Sequence, residues 1–401
     1  MSDAATPLRH GLAFVSIPGP TVVPERVRSA MARPMPNIYA GEMVDVSDEV
    51  LAALPALART EHHVFATHGN GHAAWQMAIC NTLSKGDKVL VLESGRFAVI
   101  WGMQAERSGV EVEVLEQTDG LAIDPAALEA RLRADADHEI KAILTVQIDT
   151  ASSVHNDIPA LRAAMDSAGH PALLMVDCIA SLGCVPYEMD AWGVDLTVAA
   201  TQKGLMVPPG MSFVWAGPKA IAAYETADLK VGYFDWEPRL DPDGPIYTRY
   251  AGTPPITHLY GLKESLALIE EEGGLEAVWN RHRVHAGAVH AAVSAWSEGG
   301  EIDFFVPEPA HRAHSVTTVT TGGLDAARLR EICEDQLRLT LGIGISHLAD
   351  ASFRIGHMGH VNPPMLLGTL GGIEVALAAM GHRCPSGVAA AAAHIAEHLG
   401  G

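Results

Sequence analysis

Residues 173–204 read Leu-Leu-Met-Val-Asp-Cys-Ile-Ala-Ser-Leu-Gly-Cys-Val-Pro-Tyr-Glu-Met-Asp-Ala-Trp-Gly-Val-Asp-Leu-Thr-Val-Ala-Ala-Thr-Gln-Lys-Gly. Leu173–Val176 and Leu196–Ala199 are apolar runs of strand length. The first ends on a carboxylate, Asp177. The second runs into Thr201-Gln202-Lys203-Gly204. Most lysines are solvated surface charges, so one placed directly after a buried strand stands out. A carboxylate closing an apolar run is either a helix cap or a charge partner in a site. An Asp–strand–helix–strand–Lys arrangement favours the second reading, because it brings both groups to the same edge of one sheet.

The neighbouring sequence has the same rhythm. Val64–Thr67 is a short strand that runs into Gly69-Asn70-Gly71-His72, and a helix follows from about His72 to Leu83 with Trp75, Ile79 and Leu83 on one face. Ser84-Lys85-Gly86-Asp87 is a turn before a strand at Lys88–Leu92. Asp124-Pro125 is a helix start, an N-cap followed by proline at the first helical position. Ala142–Ile148 is a buried strand. This alternation predicts an α/β fold with a mostly parallel sheet covered on both faces. Such sheets bind ligands at the carboxyl ends of their strands. Gly69–His72, Asp149-Thr150, Asp177 and Thr201–Lys203 all fall there. The glycine-rich turn leaves backbone N–H groups free at the positive end of a helix, which suits a phosphate. It lacks the third glycine of the dinucleotide fingerprint. Beyond Thr257, Leu259, Leu262, Leu266 and Ile269 keep helical spacing, and the helix continues through an interruption at Gly273-Gly274. A strand at Ser315–Thr320 and a helix at Asp325–Leu339 then suggest a second, α+β region.

Taken together, these segments resemble the class V branch of the pyridoxal-phosphate (PLP) aminotransferases, and within it the alanine/serine–glyoxylate aminotransferase group. The motifs that carry the resemblance are Ile17-Pro18-Gly19-Pro20-Thr21, Gly69–His72, Val176–Gly183, Thr201–Leu205 followed by Pro208-Pro209-Gly210, Leu259–Leu266 and Arg354-Ile355-Gly356-His357-Met358-Gly359. They occur in family order. The resemblance implies a PLP-dependent transferase fold of type I, the aspartate-aminotransferase kind. That fold has a seven-stranded-type, mostly parallel sheet domain over 21–265, a smaller α+β domain over 266–401, and an N-terminal segment, 1–20, contributing to the active site. It implies that Lys203 carries the cofactor as a Schiff base and moves the proton in a ping-pong transamination. Asp177 would keep the pyridine nitrogen protonated. Asn70, Gly71, His72 and Gln202 would cradle the phosphate, Thr150 would bond the phenolic oxygen, and Phe97 would stack on the ring. Thr253 would reach the phosphate of the partner subunit in a homodimer with shared sites. Arg354 would fork onto the substrate carboxylate, with Gly19 adding a backbone N–H. The substrates implied are a small amino acid, with serine or alanine favoured, and a 2-oxo acid such as glyoxylate or pyruvate. Aspartate, ureidoglycine and pyridoxamine are the alternative donors.

The chain departs from the family pattern in three places. His68-Gly69-Asn70 replaces a small-Ser-Gly run. Gln147-Ile148-Asp149-Thr150-Ala151-Ser152-Ser153 replaces the usual His-x-Glu-(Ser/Thr)-Ser-Thr-Gly. The tyrosine before the interface threonine is displaced, as Tyr250-Ala251-Gly252-Thr253. All three border the cofactor and the substrate pocket, so they bear on the donor more than on the cofactor.

Composition excludes other classes. The formal charge of −21 disfavours a nucleic-acid partner, which needs a basic face. The five cysteines are scattered without a C-x-x-C, which indicates neither a disulfide framework nor a zinc knuckle. The N-terminus has no signal-peptide pattern and no apolar run reaches membrane length, so a cytoplasmic setting is expected. Among the histidines, His62-His63 and His357-x-x-His360 lack a completing carboxylate, so no metal site is expected. A cysteine desulfurase would need a nucleophilic cysteine on a mobile loop. Cys333 shares a helical face with Leu329, Ile332 and Leu337 and reads as core. A non-enzymatic binding protein would not need Asp177, Lys203 and Arg354 together.

Overall fold

The computed structural model describes residues 7–241 and 244–399. The first six residues of the 1–20 segment lie outside them. In chain order the strands are β1 (Phe14–Ser16), β2 (His63–Gly69), β3 (Lys88–Leu92), β4 (Glu111–Leu115), β5 (Ile140–Val146), β6 (Leu173–Asp177), β7 (Leu196–Ala200), β8 (Gly210–Ala216), β9 (Asp303–Phe304), β10 (Val316–Thr320), β11 (Leu339–Ile343) and β12 (Ser352–Gly356).

Seven strands form the main sheet, in the order β2-β8-β7-β6-β5-β3-β4. The pairs from β4 across to β7 are parallel, while β8 runs antiparallel to both β7 and β2. All residues of β6 and β7 are buried, as strands covered on both faces must be. One covering layer carries Val50, Leu54, Leu161 and Leu259, and the other Trp75, Ile79, Trp101 and Ala220. Local chemistry sets the helix starts. Asp124 accepts from Ala126 N at 2.9 Å ahead of Pro125, and Asn70 accepts from His72 N at 3.1 Å at the head of the helix Gly71–Thr82.

The second sheet has the order β1-β11-β12-β10-β9. Its N-terminal member, β1, runs parallel to β11, from the far end of the chain. The helix Leu275–Ser297 spans both layers of the molecule. Val278 and Trp279 join the large core, while Val289, Val293 and Trp296 join the core of the second sheet. Ile148, Ala180, Cys184, Ala313, Val316 and Met358 pack together where the two units meet. The helix expected over Asp325–Leu339 is shorter. It runs from Ala326 to Glu331, closes in a wide π turn over Ile332–Gln336, and stops at Arg338, whose φ is +58°. Cys333 is fully buried in the second core, and burial pushes its thiol up to about 12. A buried, protonated thiol has neither the access nor the thiolate character of a nucleophile. Among the described residues, no helix is long and apolar enough to cross a membrane.

Candidate active site

The carboxyl ends of β2, β6 and β7 open on a cavity of about 340 Å³, within the range of roughly 300–1,000 Å³ typical of cofactor pockets. Gly19, Asn70, Gly71, His72, Phe97, Thr150, Asp177, Gln202 and Lys203 all line it. Residues far apart in sequence therefore meet on one surface, as the strand-end positions require. Two of the residues singled out by sequence do not line the cavity. Arg354 stands just behind its wall, and Thr253 is exposed.

Asp177 is the last residue of β6. Its Oδ1 accepts from Ile179 N at 2.6 Å and its Oδ2 from the Trp75 indole N–H at 2.8 Å. Burial outweighs these bonds and pushes the carboxyl up to about 7, and the nearby charge of Asp149 acts in the same direction. Such a carboxylate is poised to gain from a cationic hydrogen-bond donor brought into the cavity. Lys203 follows β7. Burial, with the charge of Arg354 behind it, lowers its pKa to about 8. Its Nζ donates to the carbonyl of Pro18. The N-terminal segment is fastened over it, because Thr21 N donates to Gln202 O at 3.1 Å and Thr21 Oγ1 to Lys203 O at 3.0 Å. Gly19 has φ +94°, and a Cβ there would lie 2.4 Å from Lys203 Cδ. Only glycine satisfies both the backbone and the lysine.

At the opposite end, a Cβ on Gly71 would lie 2.1 Å from Ile179 Cδ1, so the helix start can lie against the cavity wall only without a side chain. Among the described residues, the buried Gln202 side-chain oxygen has no hydrogen-bond partner. Buried polar groups of this kind ordinarily find one. A buried carboxyl, a lysine of lowered pKa and a helix N-terminus around one cavity fit a group with a ring nitrogen, an aldehyde and a phosphate.

Arg354 lies on β12 and is 7 % exposed. Phe353 and Ile355 turn into the second core, which sends Arg354 to the opposite face. Its Nη1 donates to Thr150 O at 2.7 Å and its Nε to Ile343 O at 2.6 Å, and burial lowers its pKa to about 10. Sequence reasoning did not assign Trp75, Ile148, Ile179 or Ala180 to the cavity wall. Trp75 carried one signal, its place a turn beyond Gly71 on the helix face that packs toward the sheet.

The sequence model of the class-V aminotransferases matches residues 42–352. The chain belongs to that family. It is a PLP-dependent aminotransferase, and its fold is the type I fold of those enzymes. The serine–glyoxylate aminotransferase of Methylorubrum extorquens is 38% identical over 410 residues, covering 97% of this chain and 98% of the relative. The L-aspartate–glyoxylate aminotransferase of Paracoccus denitrificans is 36% identical, covering 95% of each chain. Among solved structures, the ureidoglycine–glyoxylate aminotransferase of Bacillus subtilis superposes with a TM-score of 0.86 at 26% identity, over 97% of this chain and 100% of that one. The pyridoxamine–pyruvate aminotransferase of Mesorhizobium loti gives 0.87 at 25%, over 100% of both. The class V aminotransferase fold thus accommodates several donors on closely similar frames.

Proposed function

We propose that this aminotransferase moves the amino group of a small amino acid, with serine or alanine favoured, to a 2-oxo acid such as glyoxylate or pyruvate. One observation carries the choice of donor. Among the described residues, Arg354 is the arginine that bonds to the cavity wall, through Thr150 O, and no arginine lines the cavity itself. A donor with a side-chain carboxylate would call for a second cation. Arg249 is committed to Asp48 and lines a separate cleft beside β2, while Arg96 lines an adjoining crevice. The 38% relative that acts on serine supports the same choice.

Bound PLP supplies an electron sink through its ring nitrogen and its aldehyde carbon. The chain's own residues do the rest. Lys203, whose lowered pKa leaves a share of neutral amine near pH 8, attaches the cofactor and then carries a proton to and from the substrate α-carbon. With PLP bound, Asp177 would hold the proton on the ring nitrogen. Thr150 would bond the phenolic oxygen, Phe97 would stack on the ring, and Asn70, Gly71, His72 and Gln202 would hold the phosphate. Among the described residues, Arg354 keeps N–H groups free beyond its two carbonyl partners, and these would orient the substrate carboxylate.

The reading is tested by mixing cofactor-loaded enzyme with single amines and following loss of the lysine-bound cofactor's visible band. Serine or alanine should convert the enzyme faster than aspartate. A preference for an amine lacking a carboxylate would overturn the substrate class. In the same assay Arg354→Lys should raise KM for donor and acceptor alike, by roughly 10- to 100-fold. That is the order of a lost bidentate charge-assisted contact of about 1.5–3 kcal/mol. Unchanged KM values for both would remove Arg354 from the site.

We also propose a homodimer in which Thr253 serves the phosphate of the partner subunit. Thr253 is exposed and away from its own chain's cavity, beside the rigid Pro254-Pro255. Tyr250, by contrast, is buried with its hydroxyl 2.8 Å from Ser47 Oγ, so the displaced tyrosine has become part of the core. A fully active monomer in sedimentation would sink the shared site.

A further inference from the structure

Asp149 is fully buried and does not line the cofactor cavity. Its carboxylate partners are all backbone N–H groups. Oδ2 accepts from Phe97 N at 2.7 Å, while Oδ1 accepts from Ala151 N at 2.8 Å and Ser152 N at 3.4 Å. Phe97 N lies in the first turn of the helix Arg96–Arg107, whose positive end favours an anion. Gly95, just before that helix, lets the carboxylate sit flush on the backbone. A Cβ on Gly95 would fall 2.4 Å from Asp149 Cγ. The carboxylate thus joins two segments 52 residues apart, both of which line the cofactor cavity. Phe97 comes from one. Thr150, held between Asp149 and Ala151, comes from the other. Thr150 O in turn accepts from Arg354 Nη1.

We propose that Asp149 is a positioning residue whose single buried carboxylate sets Phe97, Thr150 and Arg354 as one unit, so that the stacking face, the phenolic-oxygen partner and the carboxylate clamp stay in register. The turn around it is closed on every side. Ser153 N donates to Asp149 O at 2.7 Å, and Ser153, at φ +68°, places its Oγ 2.6 Å from Thr318 Oγ1 on β10. Ser152 Oγ to Ser94 O and Asn156 Nδ2 to Ser94 Oγ, both 2.7 Å, run beside the carboxylate and hold the same two segments near each other. What the carboxylate adds is the aim of the N–H groups at both ends. Its loss should therefore cost alignment more than folding, and misplacements of about 1 Å cost transfer reactions roughly 10²-fold.

The proposal rests on the roles given above to Thr150 and Phe97. Its test uses cofactor-loaded enzyme. Asp149→Asn keeps the shape but turns an amide N–H₂ toward one set of N–H donors. We expect kcat to fall about tenfold or more, KM for both carboxylate substrates to rise several-fold, and the absorption maximum of the lysine-bound cofactor to move. A purely structural residue would lower only Tm. If band, kcat and KM stay at wild-type values, the proposal is overturned whatever happens to Tm. Thr150→Val separates the two layers of argument. If it leaves the band unmoved, the role of Thr150 fails. If it moves the band and Asp149→Asn does not, only the proposal for Asp149 fails. Should Asp149→Asn not fold, Gly95→Ala is measured in the same way, because its methyl group displaces the carboxylate without removing it. Wild-type spectrum and kinetics in that variant overturn the proposal.

Discussion

Lys203→Ala should lose the visible band of lysine-bound cofactor and lower turnover by about 10⁴-fold or more. That is the order expected when one group provides both covalent attachment and proton transfer. The amine is held at the cavity wall by the N-terminal segment, through Pro18 O and the Cβ-free Gly19, and among the described residues no other lysine lines the cavity. Its lowered pKa makes a second, independent measurement possible. Burial disfavours the charged form, so the amine loses its proton near pH 8 rather than near 10. Only the neutral amine attacks a carbonyl. Capture of PLP by the cofactor-free protein should therefore accelerate about tenfold per pH unit below 8 and level off above it. A rate still climbing through pH 10 would mean that the lysine is not desolvated as described. An active Lys203→Ala enzyme would place the attachment elsewhere.

The residues legible in the sequence were those whose signal is local. β6 and β7 announce themselves as apolar runs because both faces of a central parallel strand are buried. Asp177, Gln202 and Lys203 follow those runs directly, so their place in the cavity could be read without knowing the fold's details. Other elements have no local signature. β4 alternates Glu111-Val112-Glu113-Val114 at the sheet edge and is only partly covered, which leaves little apolar content to notice. β1 exists because Phe14–Ser16 finds Leu339–Leu341, a pairing decided by the closed tertiary structure. Trp75 reads as one more apolar residue on a helix face, and its indole N–H bond to Asp177 is a fact of packing. Asp149 gave a polar strand-end signal, yet the role proposed for it depends on where Phe97 N and Gly95 arrive from a distant segment. Periodicity also overran its limit twice, first at Gly273-Gly274, where the helix Ile256–Glu272 ends on a left-handed Gly273 and a new helix starts at Leu275. Leu329, Ile332, Cys333 and Leu337 do share a face, but the chain leaves the helix at a left-handed Arg338 to enter β11.

Asp177→Asn is expected to cut kcat by at least ~10²-fold while the cofactor remains attached, the size of effect found when a preorganised electrostatic group is removed. Two roles are open to a carboxylate at this position, and the substitution separates them. As a cap, Asp177 satisfies Ile179 N at 2.6 Å. Asparagine caps nearly as well, so a capping role predicts a loss of no more than about 1 kcal/mol in stability and unchanged kinetics. As a charge partner, Asp177 must be ionised against a cationic ring nitrogen, and the amide cannot supply that charge. The carboxyl is raised to about 7 in the protein alone because burial disfavours its anion. A cation beside it reverses that preference, so attachment of a protonated ring should pull the carboxyl back below neutrality. The interaction is strong because water is excluded and Trp75 fixes the second oxygen at 2.8 Å. In Asp177→Asn the ring nitrogen would lose its proton, and with it the electron demand that makes the substrate α-proton acidic. KM should change little, since Arg354 would still hold the substrate carboxylate. Wild-type turnover in Asp177→Asn, with only Tm lowered, would leave the residue as a cap and remove it from the chemistry.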